Sequence, residues 1–454
     1  MQGGGVQSGA WNAAQAEPAI RVLILSRDEW AVAPLADGLD RLGWRTAVTR
    51  TLMGALNLLA AHPVEAVLVE ADASPAEAFA QAARLRAEGQ PRRLPVLALG
   101  HLHLQSSAAF DLALPLPAHP AQAALRLEAL VRASVAEEEV ELRAQTFAEH
   151  GRPLARSEAD HSPLRLLAIG EPAPRFLALS KVAAEAGAVV TGAFTPYTAF
   201  DYLHERAFDA VVLWAGETHA EALSIASGMR RNTRLYHIPT LLCVREGASI
   251  DPGQAFDRGL SDVLGPEVSA ETAAERALSL ARTCRRETVV RRALEETRAS
   301  GLMDGDTGLF TRALFASHLA RTAAACEARR RALSVAILRV VDRPDLAEAR
   351  REGWLDRAMP QIGSMVGRLV RAHDTAARLS PDLFALLMPH ATRPAAQAAA
   401  ERIAAVIACT AFDAGRERGP FTIDLDVGVA TLRPGEHAAA ALERAAGGLI
   451  RPAG

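Results

Sequence analysis

The chain has 454 residues, half of them apolar and 23% charged, enough for about three folded domains of roughly 150 residues each and too apolar for disorder. Its 50 basic and 53 acidic residues leave a formal net charge of −3, which excludes a general electrostatic pull toward nucleic acid or an anionic membrane. No apolar run reaches the roughly 18 residues a membrane helix needs, and residues 1–19 lack the basic and apolar regions of a signal peptide, so a cytoplasmic protein with no membrane span is expected.

In chain order, residues 1–19 read as a disordered N-terminal segment. A first α/β module, 20–150, opens with Arg21–Leu25, a continuous apolar run of the buried parallel-strand kind. Strands at 45–49, 66–69 and 94–99 alternate with helices, and a long Ala, Leu, Glu and Arg-rich helix at 120–149 follows. A polar linker spans 151–163. The pattern then repeats over 164–299, with strands at 164–169, 188–191, 210–213, 239–244 and 261–264 and a second long helix at 270–299. Two such repeats predict two doubly wound parallel sheets. The last module, 300–454, differs: helix 312–331, strand 333–341, helix 355–372, a hairpin-like pair at 376–388, helix 394–408 and strand 422–430 predict an α+β palm containing antiparallel strands.

Cys243, Cys284, Cys326 and Cys409 are widely spaced with no C-x-x-C, so they read as core thiols, without a metal or a disulfide framework. Of the 50 basic residues only Lys181 is lysine, so each arginine must be judged by its own position. One arrangement points to a ligand. Arg371-Ala-His-Asp374 sets a planar guanidinium fork near a carboxylate, a pair able to read guanine through O6 and N7 on one side and N1–H and N2–H on the other. Taken alone, an i,i+3 helical ion pair and a solvated Arg402 account for the same residues, and R-x-x-D occurs three times, from Arg206, Arg339 and Arg371.

Asp304-Gly-Asp-Thr-Gly-Leu309 with Arg312, the strand Leu333–Leu338, Arg378-Leu-Ser-Pro-Asp-Leu-Phe384 with the strand after it, Ala400-Glu-Arg-Ile403 and Val427–Leu432 together resemble the GGDEF domain of diguanylate cyclases. The whole chain resembles a response regulator with two receiver domains before a GGDEF domain, catalytically degenerate throughout. The resemblance implies two cyclase metal ions that neutralise triphosphate charge, held by an aspartate ending the first strand and an acid in the turn. Here the strand position is Arg339, and the turn reads Ser380, Pro381, Asp382, Leu383 and Phe384, with Asp382 the only acid kept. Proline in place of glycine removes an N–H and fixes φ where backbone would approach phosphate. Pro344 and Ala347 replace the lysine and the base-reading asparagine, and only Asp356 is retained at another base-reading position. In the receiver-like modules the phosphoacceptor positions hold Glu70 and Trp214, the acidic pairs are Ser26-Arg27 and Gly170-Glu171, and no lysine follows the fifth strand. No phosphotransfer is expected; Glu70 is either a mimic of a phosphorylated aspartate or a plain strand-end glutamate.

The same resemblance implies an inhibitory-type site for cyclic di-GMP. Its arginine precedes the turn by nine residues, as Arg371 precedes Ser380, and a later helix supplies a second arginine, here Arg402. The ligand-binding set is therefore Arg371, Asp374 and Arg402, with no catalytic residue, metal or cofactor. The implied function is a cyclic di-GMP effector or adaptor without cyclase activity. It would form a homodimer through its receiver-like domains and recruit protein partners of the ClpXP-adaptor type in cell-cycle control, in the cytoplasm and at the cell pole. The alternative is an active diguanylate cyclase, GTP to cyclic di-GMP, with an atypical metal site.

Overall fold

The computed structural model describes residues 20–450 except 73, 101–108, 155–159, 215–218, 248–249, 298–300 and 414–418. The N-terminal segment 1–19 and part of the linker lie outside the described residues. By compactness the chain divides into two units, 1–89 with 94–127, and 90–93 with 128–454. No helix among the described residues is long and apolar enough to cross a membrane.

The first sheet joins β1 (Val22–Leu25), β2 (Thr46–Thr49), β3 (Ala66–Glu70), β4 (Val96–Leu99) and β5 (Leu112–Leu114) in the all-parallel order β2-β1-β3-β4-β5. Helices α1 (Glu29–Arg41), α2 (Leu52–Ala61) and α3 (Pro75–Glu88) connect the strands. Alternate strand residues serve opposite faces. Leu23, Leu25, Val67, Val69, Val96 and Ala98 pack on Ala55 and Leu59 of α2 and Ala78, Ala82 and Leu85 of α3. Ile24, Leu68 and Leu97, pointing the other way, are also fully buried. Asp28 caps α1, its Oδ1 accepting the Trp30 and Ala31 amides at 3.0 and 3.2 Å. Helix α4 (Pro120–Glu149) leaves this module, and its residues from Glu128 onward belong to the second unit.

The second unit holds another parallel sheet and a mixed domain. β6 (Arg165–Ile169), β7 (Val189–Ala193), β8 (Ala210–Trp214), β9 (Thr240–Cys243) and β10 (Asp262–Leu264) are ordered β10-β9-β8-β6-β7. Read from the other edge, this is the strand order of the first sheet. Helices α5 (Pro174–Glu185), α6 (Pro196–Glu205), α7 (Ala220–Arg231), α8 (Pro252–Asp257) and α9 (Ala270–Glu296) link or follow the strands. Leu167, Ile169, Val211 and Leu213 pack toward α6 and α7, while Leu166, Val212 and Leu241 pack toward α5 and α9.

The C-terminal domain contains α10 (Arg312–Ala328), β11 (Leu333–Val340), α11 (Pro344–Arg351), α12 (Trp354–Leu369), β12 (Thr375–Ser380), β13 (Leu383–Pro389), α13 (Arg393–Ala408), β14 (Leu425–Thr431) and α14 (Ala438–Gly447). Its sheet is fully antiparallel, ordered β12-β13-β11-β14, with Leu338 opposite both Phe384 and Val427. One face buries Ala336, Leu338, Phe384, Leu386 and Val427 under α12 and α13. The other buries Val335, Ile337, Ala385 and Leu387 with α10, α14 and Phe147 of α4. Helix α12 approaches the Asp304–Leu309 segment so closely that a Cβ on Gly363 would lie 2.6 Å from the Thr307 Cα, so this crossing requires glycine.

Three cysteines are buried as expected, and burial pushes the thiols of Cys284 and Cys326 up to about 12. Cys409 is a correction. It is exposed, because it is the C-cap of α13 and lies past the apolar face ending at Ile407.

Candidate functional site

The residues singled out in the last domain sit at the two ends of β12. Its start follows a tight turn after α12, in which the Asp374 amide donates to the Arg371 carbonyl at 3.0 Å. The Arg371 amide in turn donates to Asp374 Oδ2 at 3.3 Å. The Asp374 side chain is 8% exposed, and burial, opposed by the Arg371 charge, lifts its carboxyl to about 7. His373 is buried beside it, and desolvation holds its imidazole down at about 4.

This corrects the expected side-by-side fork and carboxylate. The carboxylate is spent on the backbone of its own turn, and the Arg371 side chain projects to solvent with no hydrogen bond or ion pair among the described residues. The two charges still interact through space, since the Arg371 charge opposes the rise of Asp374. Arg402 is exposed on α13, which packs beside α12, and it too makes no hydrogen bond or ion pair among the described residues. Two unpaired guanidinium groups therefore stand on neighbouring elements, and no direct contact joins them.

The other end of β12 turns through Pro381-Asp382 into β13, with Ser380 opposite Leu383 and a register shift after Arg378. Ser380 Oγ donates to Asp382 Oδ1 at 3.0 Å, and Arg350 of α11 reaches Asp382 Oδ2 at 3.4 Å. The Asp382 carbonyl accepts the Val340 amide at 2.9 Å, fixing the turn to the end of β11. Leu383 is half-buried against the domain core, and Phe384 is fully buried in it. Arg339, at the end of β11, pairs with Asp426 at 3.0 Å, and Arg343 pairs with Asp424 at 2.7 Å. Asp356 is exposed in the first turn of α12.

A divalent cation does not fit this donor set. Asp382, Asp424 and Asp426 each already face a guanidinium, and Arg339 places positive charge at the end of β11. Among the described residues no group of three or more His, Cys, Asp or Glu side chains converges on a cation position.

The opening segment of the domain braces the same strand. Thr307 donates to Asp304 through both its amide and its hydroxyl, at 2.9 and 2.6 Å, and Arg378 reaches Asp306 at 2.8 Å. Sequence reasoning missed a second brace from far upstream. Arg143 of α4 donates to the Asp374 carbonyl and to the Thr375 hydroxyl, which donates to Glu139 of α4, and Glu139 is faced by His318 of α10. Only the i,i+4 Glu–Arg spacing in the helix was visible, and it does not reveal a partner 231 residues away.

In the first module Glu70 ends β3. Its Oε2 accepts the Arg27 amide at 2.9 Å and lies 2.8 Å from Ser26 Oγ, so neutral donors satisfy the charge at the edge of a cleft that also includes Arg50. Arg27 itself pairs with Glu77 at 2.6 Å. In the second module Trp214 ends β8 with its ring centroid 5.9 Å from that of Phe176, and its indole N–H has no partner among the described residues. Gly170 holds φ at +139°, and a Cβ there would lie 2.6 Å from the Trp214 Cβ. The close approach of residue 214 and the left-handed backbone together leave no room for a side chain at position 170.

Residues 301–451 match the family model described as "Diguanylate cyclase, GGDEF domain", so the C-terminal third of the chain is a GGDEF domain. Among solved structures the chain is similar to the FimX GGDEF domain from Pseudomonas aeruginosa, at 22% identity over 32% of this chain and 90% of that one, with a TM-score of 0.30. It is also similar to the DgcB GGDEF domain from Caulobacter crescentus in complex with c-di-GMP, at 23% identity over 32% and 84% of the two chains, TM-score 0.30. A third is the diguanylate cyclase SiaD in complex with its activator SiaC from Pseudomonas aeruginosa, at 22% identity over 38% and 66%, TM-score 0.31. No curated protein matches the chain.

Proposed function

We propose that this GGDEF domain binds cyclic di-GMP without making it, and that the chain is an effector or adaptor rather than a cyclase. The observation that carries this reading is the contrast in arginine pairing between the surroundings of the β12–β13 turn and those of the loop before β12. Arg339, Arg343 and Arg350 neutralise the carboxylates of the former catalytic face, whereas Arg371 and Arg402 are exposed and unpaired among the described residues. Metal-assisted phosphoryl transfer needs free carboxylates to hold its cations. A guanine- and phosphate-bearing ligand needs free guanidinium forks. The Asp374 carboxyl, three residues from the Arg371 fork, is buried and near half-ionised at neutral pH, and guanine N–H donors reaching it would favour its charged form.

The two parallel-sheet modules have the 2-1-3-4-5 strand order of flavodoxin-like folds, which supports reading them as receiver-like. With Glu70 held by neutral donors and Trp214 packed over Gly170, neither is assigned phosphotransfer. In architecture the chain resembles PleD and, with its catalytic turn lost, PopA. That resemblance is the basis for assigning it homodimerisation, protein partners of the ClpXP-adaptor type and a place at the cell pole. The test incubates purified protein with GTP and Mg²⁺ or Mn²⁺, and separately titrates it with cyclic di-GMP. Binding without turnover is expected; formation of cyclic di-GMP from GTP would overturn the reading.

A further inference from the structure

The loop that carries Arg371 is gripped by its backbone, and the grip comes from outside the domain's own sequence. Arg143 of α4 is buried, its side chain only 7% exposed. Its Nη2 lies 3.0 Å from both the Asp374 carbonyl and Thr375 Oγ1, and 3.4 Å from the Ala372 carbonyl. Its Nε donates to Glu139 Oε1 at 2.7 Å, and its guanidinium lies over the Phe310 ring at 5.7 Å. Glu139 Oε1 also accepts the Thr375 hydroxyl at 3.2 Å and faces His318 Nε2 at 2.8 Å. Burial would raise the Glu139 carboxyl, but His318 and Arg143 outweigh it and hold the group at about 2. Phe147, one turn further along α4, meets Phe310 edge-on at 5.7 Å, so the polar grip is seated on an apolar anchor.

These contacts go to the carbonyls of Ala372 and Asp374 and the hydroxyl of Thr375, the residues that set the path of the turn. They fix where the backbone leaves Arg371, whose own side chain makes no bond among the described residues. This buried ion pair is bonded at many points through Glu139 Oε1 and Arg143, with Glu139 Oε2 lacking a partner among the described residues, and bonds of this number hold a neighbouring loop in register. We infer that Glu139 and Arg143 of α4 are positioning residues for the Arg371–Asp374 ligand loop, so that the strength of ligand binding depends on the seating of α4. This rests on the ligand site proposed above. Because coupling is reciprocal, ligand on the loop must also steady α4 between Glu139 and Phe147.

The test uses the full chain and cyclic di-GMP. Calorimetry and amide hydrogen exchange are compared for wild type, Arg143→Lys and the double variant Glu139→Gln with Arg143→Met, which removes both charges without stranding either. In both variants the amides of residues 372–375 should exchange at least about tenfold faster without ligand, while those of β11 keep their protection. Cyclic di-GMP affinity should fall about tenfold, and ligand should slow exchange in α4 of the wild type only. Should β11 also loosen, Thr375→Val removes the gripped hydroxyl without touching α4 and should weaken binding in the same direction by a smaller factor. Wild-type binding with variant affinities unchanged overturns the positioning role alone. Wild-type protein that binds no cyclic di-GMP overturns the ligand site and the positioning role together.

Discussion

The two ends of the six-residue strand β12 are each flanked by one aspartate, and the two have opposite environments. At the turn into β13, Asp382 is a third exposed and lies 3.4 Å from Arg350, so its charge is neutralised in partial contact with water. At the start of the strand, Asp374 has no ion pair with Arg371 and is buried under its own turn, so desolvation governs its carboxyl. The difference decides what each end can do. A carboxylate matched to a guanidinium is unavailable to a cation, whereas a buried one near neutrality still has binding energy to gain from donors that reach it. The arginines follow the same division, paired at the turn and, among the described residues, unpaired at the loop.

The largest expected effect comes from breaking the grip that keeps the loop end distinct. Arg143→Ala leaves Glu139 charged and buried, and should cost about 3–5 kcal/mol of stability by denaturant unfolding; a loss below about 1 kcal/mol would mean that the grip holds nothing. Gly170→Asp forces a side chain into the Trp214 Cβ at a left-handed backbone, and should cost about 1–3 kcal/mol or more. An unchanged melting temperature would show that the two positions are not sterically locked.

Asp374→Asn sharpens the comparison through pH. The wild-type carboxyl is raised in the fold from 3.8 to about 7, so the stability it contributes is complete below about pH 4 and is lost as pH rises toward 7. His373 is lowered from 6.5 to about 4, so its contribution is complete above about 6.5 and is lost as pH falls toward 4. The two slopes oppose each other between about pH 4 and 6.5. Removing the acid should expose the histidine slope, and the variant should gain on wild type steadily from pH 4 to 7. Parallel stability curves for the two proteins would contradict the burial assigned to Asp374. The smallest effect is at the turn: Arg350→Ala should change stability by about 0.5 kcal/mol, as for a partly exposed ion pair, and should leave GTP turnover absent.

The parallel strands were readable because burial on both faces leaves unbroken apolar runs such as Val22–Leu25, and nearly every one lies within a residue or two of its expected place. β5 was given no bounds because three residues, Leu112–Leu114, carry no period, and α11 escaped notice because, among its described side chains, Pro344–Arg351 buries only Leu346 and Ala349. At the candidate site, spacing picked out Arg371, Asp374 and Arg402 and the altered turn. Spacing did not reveal that Asp374 turns inward, because its carboxylate bonds the backbone of its own turn and that turn is also bonded by Arg143, far upstream. Nor did it reveal that Asp424 and Asp426 have arginines beside them, since they lie more than 80 residues from Arg343 and Arg339.

The most direct measurement titrates cyclic di-GMP into wild type, Arg371→Ala and Asp382→Ala under identical conditions. The account predicts binding by wild type, a loss of at least about tenfold on removing Arg371, and a change of no more than about twofold on removing Asp382. Equal affinity for wild type and Arg371→Ala, or a dependence on Asp382 instead, would contradict it.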